Sequence, residues 1–229
     1  MSLVTGDDLT AIGLSLRVAG VAVVAALPLA LAAAWALSRS RLAARTVFDA
    51  AITLPLVLPP VATGYLLLVL FGREGPIGRL LALAGIDLGF RWTGAALAAA
   101  VMAFPLMVRP MRLAIEAIEP SVDEAGLTLG AGAWTRFFRL TLPLAAPGVI
   151  AGLVLGFAKA LGEFGATITF VGAIPGETLT LPADIWQSTQ TPGEESHTLA
   201  LCLVAAAIAV TATLVSEIVA RRVVSRAGL

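Results

Sequence analysis

The chain has 229 residues, 59% hydrophobic and 13% charged, with a formal net charge of zero and a mean hydropathy of +0.95, which is far too apolar for a soluble domain of this length. Its Arg residues fall in small clusters between apolar stretches and form no basic face, so nothing supports a nucleic-acid partner. A single His197, a single Lys159 followed by Ala160 and a single Cys202 leave no His/Cys metal cluster, no His-based triad, no P-loop and no intramolecular disulfide.

The amino-terminal segment carries Asp7 and Asp8 where a secretory signal would carry Lys or Arg, and its apolar stretch is too long for a signal core, so it reads as a retained first helix. Five stretches, 12–37, 47–71, 92–113, 144–171 and 197–220, are long enough to cross a hydrocarbon layer of about 30 Å, which takes roughly 20 helical residues. They lack the alternation of barrel strands, and lipid leaves no other way to satisfy the backbone. The expected fold is therefore all-α, a polytopic membrane bundle of about five helices in one domain over residues 1–229. Cys202 falls within the fifth stretch as a small core or lipid-facing hydrophobe.

Proline and glycine interrupt several of these stretches: Pro55, Pro59, Pro60 and Gly64 in the second, Pro105 and Pro110 in the third, Pro147, Gly148, Gly152 and Gly156 in the fourth. Proline removes an amide donor and clashes with the preceding turn. Broken membrane helices are tolerated beside protein or a cavity, as in transporters, although both residues are also simply commoner in membrane helices. The Pro59-Pro60 pair is the strongest sign of a functional break.

Charge gives an orientation. Arg39, Arg41, Arg45, Arg109, Arg112, Arg136, Arg139, Arg221, Arg222 and Arg226 fall on one side, ten of the fifteen basic residues. Arg73, Arg79 and Arg91 fall on the other, with Asp7, Asp8, Glu177, Asp184, Glu194 and Glu195. Short basic loops stay in the cytoplasm, which predicts an outside amino terminus, an inside carboxy terminus and a cytoplasmic loop at about 119–143.

Within that loop Ser121 and Glu124 have capping-box spacing, Pro120 precedes them, and Gly130 and Gly132 supply helix stops, predicting a short helix over 122–129. An amphipathic piece over 134–140 follows, with Arg136 and Arg139 flanking Phe137 and Phe138. In the fourth stretch Lys159 and Glu163 share a helix face in the outer half of the bilayer, either as an element of the pathway or as an ion pair locking two helices. Whether residues 183–190 form a surface helix or a re-entrant one is open at this level.

The loop resembles the EAA segment of ABC importer permeases: Glu-Ala-Ala, three residues, Gly, nine residues, then Ile-x-Leu-Pro. Glu124, Ala125, Gly130, Leu142 and Pro143 stand at those spacings, while Gly126 replaces Ala and Leu140 replaces Ile. Leu54-Pro55-Leu56-Val57-Leu58-Pro59-Pro60 and Ala160-Leu161-Gly162-Glu163-Phe164-Gly165-Ala166 are similar to the permeases for tetrahedral oxyanions. The runs from Ile174 to Pro182 and from Gln190 to Ser196 are similar to the molybdate branch.

The resemblance, over about residues 14–222, implies a type I importer permease that moves molybdate, and tungstate with it, across the inner membrane. It further implies a second copy of the chain, two cytoplasmic ATP-binding subunits that hold ATP and Mg so that this chain carries no cofactor and is not itself an enzyme, an external molybdate-binding protein, and surrounding lipid. Coupling to the ATPase would fall to Glu124, Ala125, Gly126, Gly130, Leu142 and Pro143; Lys159, Glu163, Phe164, Gly165, Thr167 and Thr169 would be the gate or pathway candidates, and no metal ligands are implied. A sulfate or thiosulfate permease is the near alternative, a membrane scaffold the one from a different class, and a passive anion channel has no need of the docking loop.

Overall fold

The computed structural model describes residues 5–39 and 42–226, which places Arg41 outside the described residues. The described chain is helical: α1 (Gly6–Arg39), α2 (Leu42–Val57), α3 (Pro60–Phe71), α4 (Pro76–Leu83), α5 (Trp92–Glu116), α6 (Pro120–Thr128), α7 (Ala133–Arg136), a π-helical segment (Phe137–Thr141), α8 (Leu142–Leu144), α9 (Ala146–Leu161), α10 (Gly165–Val171), α11 (Leu181–Thr189) and α12 (Glu195–Arg226). Three of these, α1, α5 and α12, are long and apolar enough to cross a membrane by themselves. Two bent pairs bring the number to five: α2 with α3, turned by 108°, and the Ala133–Leu144 stretch with α9, turned by 70°.

The core is a seam between α1 and α5, with α9 laid against both. Along α1 the buried positions Ala11, Ser15, Ala19, Ala22, Ala26, Ala30 and Ala34 recur every three or four residues, and α5 answers with Ala95, Ala96, Ala98, Ala99 and Ala103. Side chains of this size let helix backbones approach closely, which substitutes for the hydrophobic drive that lipid does not provide. Helix α9 uses glycine for the same purpose. A Cβ on Gly148 would meet the Pro110 carbonyl oxygen at 2.5 Å, on Gly152 the Met107 carbonyl oxygen at 2.7 Å, and on Gly156 the Met107 side chain at 2.5 Å.

Of the two readings open for the interrupting prolines and glycines, the structure gives unbroken helix at Pro105, Pro110, Gly152 and Gly156, while Pro147 and Gly148 follow directly on the 70° bend that precedes α9. Helix α5 runs unbroken through both of its prolines, and Pro147 occupies the first turn of α9, where its missing N–H costs no bond. The stretch 144–171 is not one span. It stops at Leu161 and restarts at Gly165, because Gly162 ends α9 and Glu163 turns back to cap α10. The second stretch breaks where the sequence places it: Pro59 is extended and Pro60 opens α3.

At the other end of the bundle from the 119–143 loop, Arg17 lies over the Trp92 ring, 3.8 Å from its centroid, where α5 begins. Helix α11 is short and packs on α1 and α12, and Ser15 on α1 accepts a 2.7 Å hydrogen bond from the Leu181 amide in the first turn of α11. Asp8, 3% exposed, lies 3.5 Å from His197 at the start of α12. Exposed Cys202 follows on α12.

Candidate functional site

The loop helix α6 starts two residues earlier than the capping-box spacing predicts. Pro120, with φ preset for a helix, takes the first position, Glu119 precedes it, and the Ser121 hydroxyl donates to the Glu119 carboxylate at 3.1 Å instead of capping the helix. The stop is the expected one. Gly130 has φ +74°, its amide donates to the Leu127 carbonyl at 2.9 Å, and the Ala131 amide donates to that of Gly126 at 3.0 Å, the paired bonds of a Schellman cap. Gly132 does not add a second stop; it is extended and precedes α7.

This geometry sorts the loop residues. Glu124 and Ala125 are exposed, Gly126 is buried, and Leu127, Leu129, Trp134 and Phe138 present apolar side chains to the outside around them. Asp123, adjacent to Glu124, points the other way and accepts from Arg136 at 2.8 Å and from Arg39 on α1 at 3.4 Å. Leu142 and Pro143 stand past the π-helical segment, whose widened turns lie directly ahead of Pro143 and ease the clash of its ring with the preceding turn. A second charge network ties α2 to α5 at the same end: Arg112 to Asp49 at 3.0 Å, Arg112 to Glu116 at 3.0 Å, and Arg45 to Glu116 at 2.7 Å.

The second cluster is about 20 Å along α9 from its loop end, where the two breaks meet. A Cβ on Gly165 would lie 2.7 Å from Pro60, and one on Gly64 would lie 2.5 Å from the Ala166 carbonyl oxygen and 2.9 Å from Thr169. The starts of α3 and α10 are thus pressed together by glycines that admit no side chain. Glu163 is 3% exposed, is paired with Lys159, and accepts the Ala166 amide at 3.0 Å. Through these two bonds it ties the end of α9 to the start of α10, as the ion-pair reading of Lys159 and Glu163 expects. Phe164 packs on Trp186 of α11 with ring centroids 5.7 Å apart, Thr167 is buried, and the Thr169 hydroxyl donates to the Gly165 carbonyl at 2.8 Å.

The coupling candidates and the gate candidates therefore form two groups at opposite ends of α9. Sequence reasoning missed the residues that hold each group in place: Asp123 with Arg136 and Arg39, Asp49 with Arg112, and Pro60 and Gly64 as partners of α10. Asp123 and Arg136 are thirteen positions apart, outside the three- and four-residue spacing that makes helical ion pairs legible. Two further groups have shifted acidity. Burial, then the neighbouring Asp8, raises the Asp184 carboxyl above the usual carboxylate value, with His197 opposing. Hydrogen bonding from Arg73 lowers Asp87 in the turn before α5. Among the described residues no group of His, Cys, Asp and Glu is placed to hold a metal ion.

Comparison with known proteins agrees with this arrangement. The solved importer for alginate superimposes with a TM-score of 0.76 at 19% identity, covering 96% of this chain and 80% of that one. The methionine ABC transporter MetNI superimposes with a TM-score of 0.73 at 16% identity, covering 94% and 95%; at such identities the likeness concerns fold alone. In sequence, the Molybdenum transport system permease protein ModB of Escherichia coli (strain K12) is 51% identical over 227 residues, 99% of each chain. The protein of the same name from Haemophilus influenzae is 50% identical, over 96% of this chain and 97% of that one. Residues 26–228 match the model of the binding-protein-dependent transport system inner membrane component, and the chain belongs to that family.

Proposed function

We propose that the chain is the permease subunit of an ATP-driven importer that carries molybdate, and tungstate with it, across the inner membrane. The observation that carries this reading is the full-length similarity to molybdenum permeases, 51% identity over 99% of the chain. A sulfate system permease CysW from Synechococcus elongatus is 40% identical over only 66% of this chain and 53% of its own, which supports the sulfate alternative less well. A scaffold has no need of the two broken spans.

The working unit is a pair of these chains with two ATP-binding subunits below and an anion-binding protein above. The clustering of Arg39, Arg45, Arg112 and Arg136 at the α6 end supports a cytoplasmic loop and an outside amino terminus, since basic loop residues are retained inside. ATP and Mg belong to the partner subunits. This chain receives their closure through α6: Glu124 and Ala125 reach the ATPase, with Leu129 and Trp134 as apolar contacts beside them. Gly126 and Gly130 hold α6 compact, and the turns at Leu142 and Pro143 carry its displacement into α9.

At the far end of α9 the junction around Gly165 and Gly64 is the gate. Lys159 and Glu163 keep its two halves registered as a neutral unit, while Phe164, Thr167 and Thr169 set the packing that must change for an anion to pass. An anion that met Lys159 would find its charge already compensated, so selectivity rests with the binding protein.

Uptake into proteoliposomes containing this chain, its ATPase and its binding protein tests the reading, with molybdate, tungstate and sulfate supplied in turn. ATP-dependent uptake of the first two without the third is the expected result. Sulfate preference transfers the chain to the sister branch, and no uptake by a correctly assembled complex removes the transport reading altogether.

A further inference from the structure

Arg136 grips the α6 region at three places. Its Nε donates to Asp123 Oδ1 at 2.8 Å, its Nη1 donates to the Ala131 carbonyl at 3.3 Å, and its stem occupies the notch over Gly126, where a Cβ would lie 2.9 Å from Cδ. These contacts fall in the first turn of α6, in its middle and just beyond its Schellman cap. The side chain is only 11% exposed. A guanidinium holds its donors in fixed directions, so two acceptors on different turns, with the stem seated in a glycine notch, define both the distance and the rotation of α6. The same notch takes Leu140, whose Cδ1 lies 2.9 Å from the Gly126 Cβ position. The two places where this loop departs from the EAA pattern, Gly126 and Leu140, thus face one another across the volume that the arginine stem shares.

The covalent link between α6 and α7 is soft by comparison, since it runs through Gly130, Ala131 and Gly132. From α7 onward backbone hydrogen bonds carry the chain into α9 across the 70° bend at Ala145: Leu142 to Phe137 in the π-helical segment, Ala145 to Thr141 at 2.8 Å, and Val149 to Ala145 at 3.0 Å. The other attachment of α6, Arg39 to Asp123, is longer at 3.4 Å, and its arginine side chain is 43% exposed. On the reading of α6 as the helix an ATPase moves, we infer that Arg136 is the positioning residue that makes α6 and α9 one moving body, so that a push on α6 displaces α9 instead of folding the glycine turn between them.

The test is a double-mutant cycle of Asp123→Asn and Arg136→Gln in the assembled transporter, read as molybdate carried per ATP hydrolysed. Arg136→Gln is expected to lower that ratio at least fivefold with ATP hydrolysis retained, and the double variant to be little worse than Arg136→Gln, because all that Asp123→Asn then still weakens is the longer, half-exposed contact to Arg39. Arg136→Lys, which keeps stem and charge but loses the fork, is expected to recover part of the ratio, and it carries the test if Arg136→Gln does not assemble. Spin labels on exposed Ser121 of α6 and Leu155 of α9 supply a readout that simple destabilisation does not move. Their separation should stay constant on ATP binding in the parent and change in the variant. An unchanged ratio, multiplicative single effects or an unchanged label separation in the variant overturns the inference. A bulky residue at Glu124 separates the two failures: if it uncouples while Arg136→Gln does not, only the role of Arg136 falls, and if neither does, the docking of α6 falls with it.

Discussion

At its loop end α9 is reached through α7 and a π-helical segment, and α7 is paired to α6 through Arg136 and Asp123, a carboxylate 34% exposed, whereas at its far end α9 stops on a carboxylate, Glu163, that is 3% exposed and caps the next helix. On the proposed docking of an ATPase at α6, a partner subunit reaches the first end, whose charges can stay near water and be re-paired. The second end lies at membrane depth, where an unpaired charge has no such recourse. The largest effect is therefore expected where Glu163 is changed. Glu163→Gln leaves Lys159 without its counter-charge and weakens the α10 cap, and breaking a buried pair costs about 3–5 kcal/mol. The yield of folded protein and its melting temperature in detergent should both fall. Lys159→Met with Glu163→Gln should recover much of the loss, because it removes the stranded charge.

Glycine contacts give the next test of the same end. Gly64→Leu puts atoms where the Ala166 carbonyl and Thr169 already stand, at 2.5 and 2.9 Å from a Cβ. Overpacking of this kind costs roughly 1–3 kcal/mol, and α3 should separate from α10. Cysteine accessibility at the junction, measured in membranes, should rise in this variant if the gate is built as described. A matching Gly148→Leu change, which presses on α5 in place of α10, should destabilise without opening that junction.

Much of this contrast was legible in the sequence, but unevenly. The helical bundle, the Pro59-Pro60 break and the stop at Gly130 were readable because each depends on a local property: apolar length, a missing amide, a positive φ. The single span over 144–171 was misread because Gly162 to Phe164 carry no proline. What breaks the helix there is the Glu163 carboxylate bonding to the Ala166 amide, a choice that depends on Lys159 and on the space left by Pro60. Conversely, Pro105 and Pro110 could be read as breaks, although α5 continues through both, whereas Pro147 does stand in the first turn after a bend, where a helix needs no donor. The capping box failed for a similar reason, since Pro120 competes with Ser121 for the start of α6. Long-range pairs such as Asp123 with Arg136 belong to the packing of the loop and leave no period to read.

The loop end should be far more forgiving in stability. Arg39→Gln removes the half-exposed contact to Asp123, and exposed ion pairs contribute about 0–1 kcal/mol. Its melting temperature should stay close to that of the parent, and any difference should shrink at high salt. A fall as large as that of Glu163→Gln would erase the distinction between the two ends.

The smallest effect concerns the junction of α1, α11 and α12, where pH provides the lever. Asp184 faces Asp8 on α1 and Glu194 and His197 near the start of α12; burial and the two carboxylates raise its pKa, and His197 pulls the other way. A carboxyl whose pKa is higher in the folded chain binds more proton there than in the unfolded chain. Its contribution to stability is therefore greatest below the unfolded value and declines as pH rises through the folded one. Asp184→Asn removes the charge that burial penalises. The variant should melt slightly above the parent near neutral pH and converge with it in mild acid, so that the difference between the two melting curves, plotted against pH, traces the titration of this one group. A parent that gains stability relative to the variant as pH rises would mean that the attraction of His197 for Asp184 outweighs burial and the neighbouring carboxylates. Because Trp186, two residues from Asp184, packs on Phe164, such a result would also link this junction to the start of α10, proposed above as the gate.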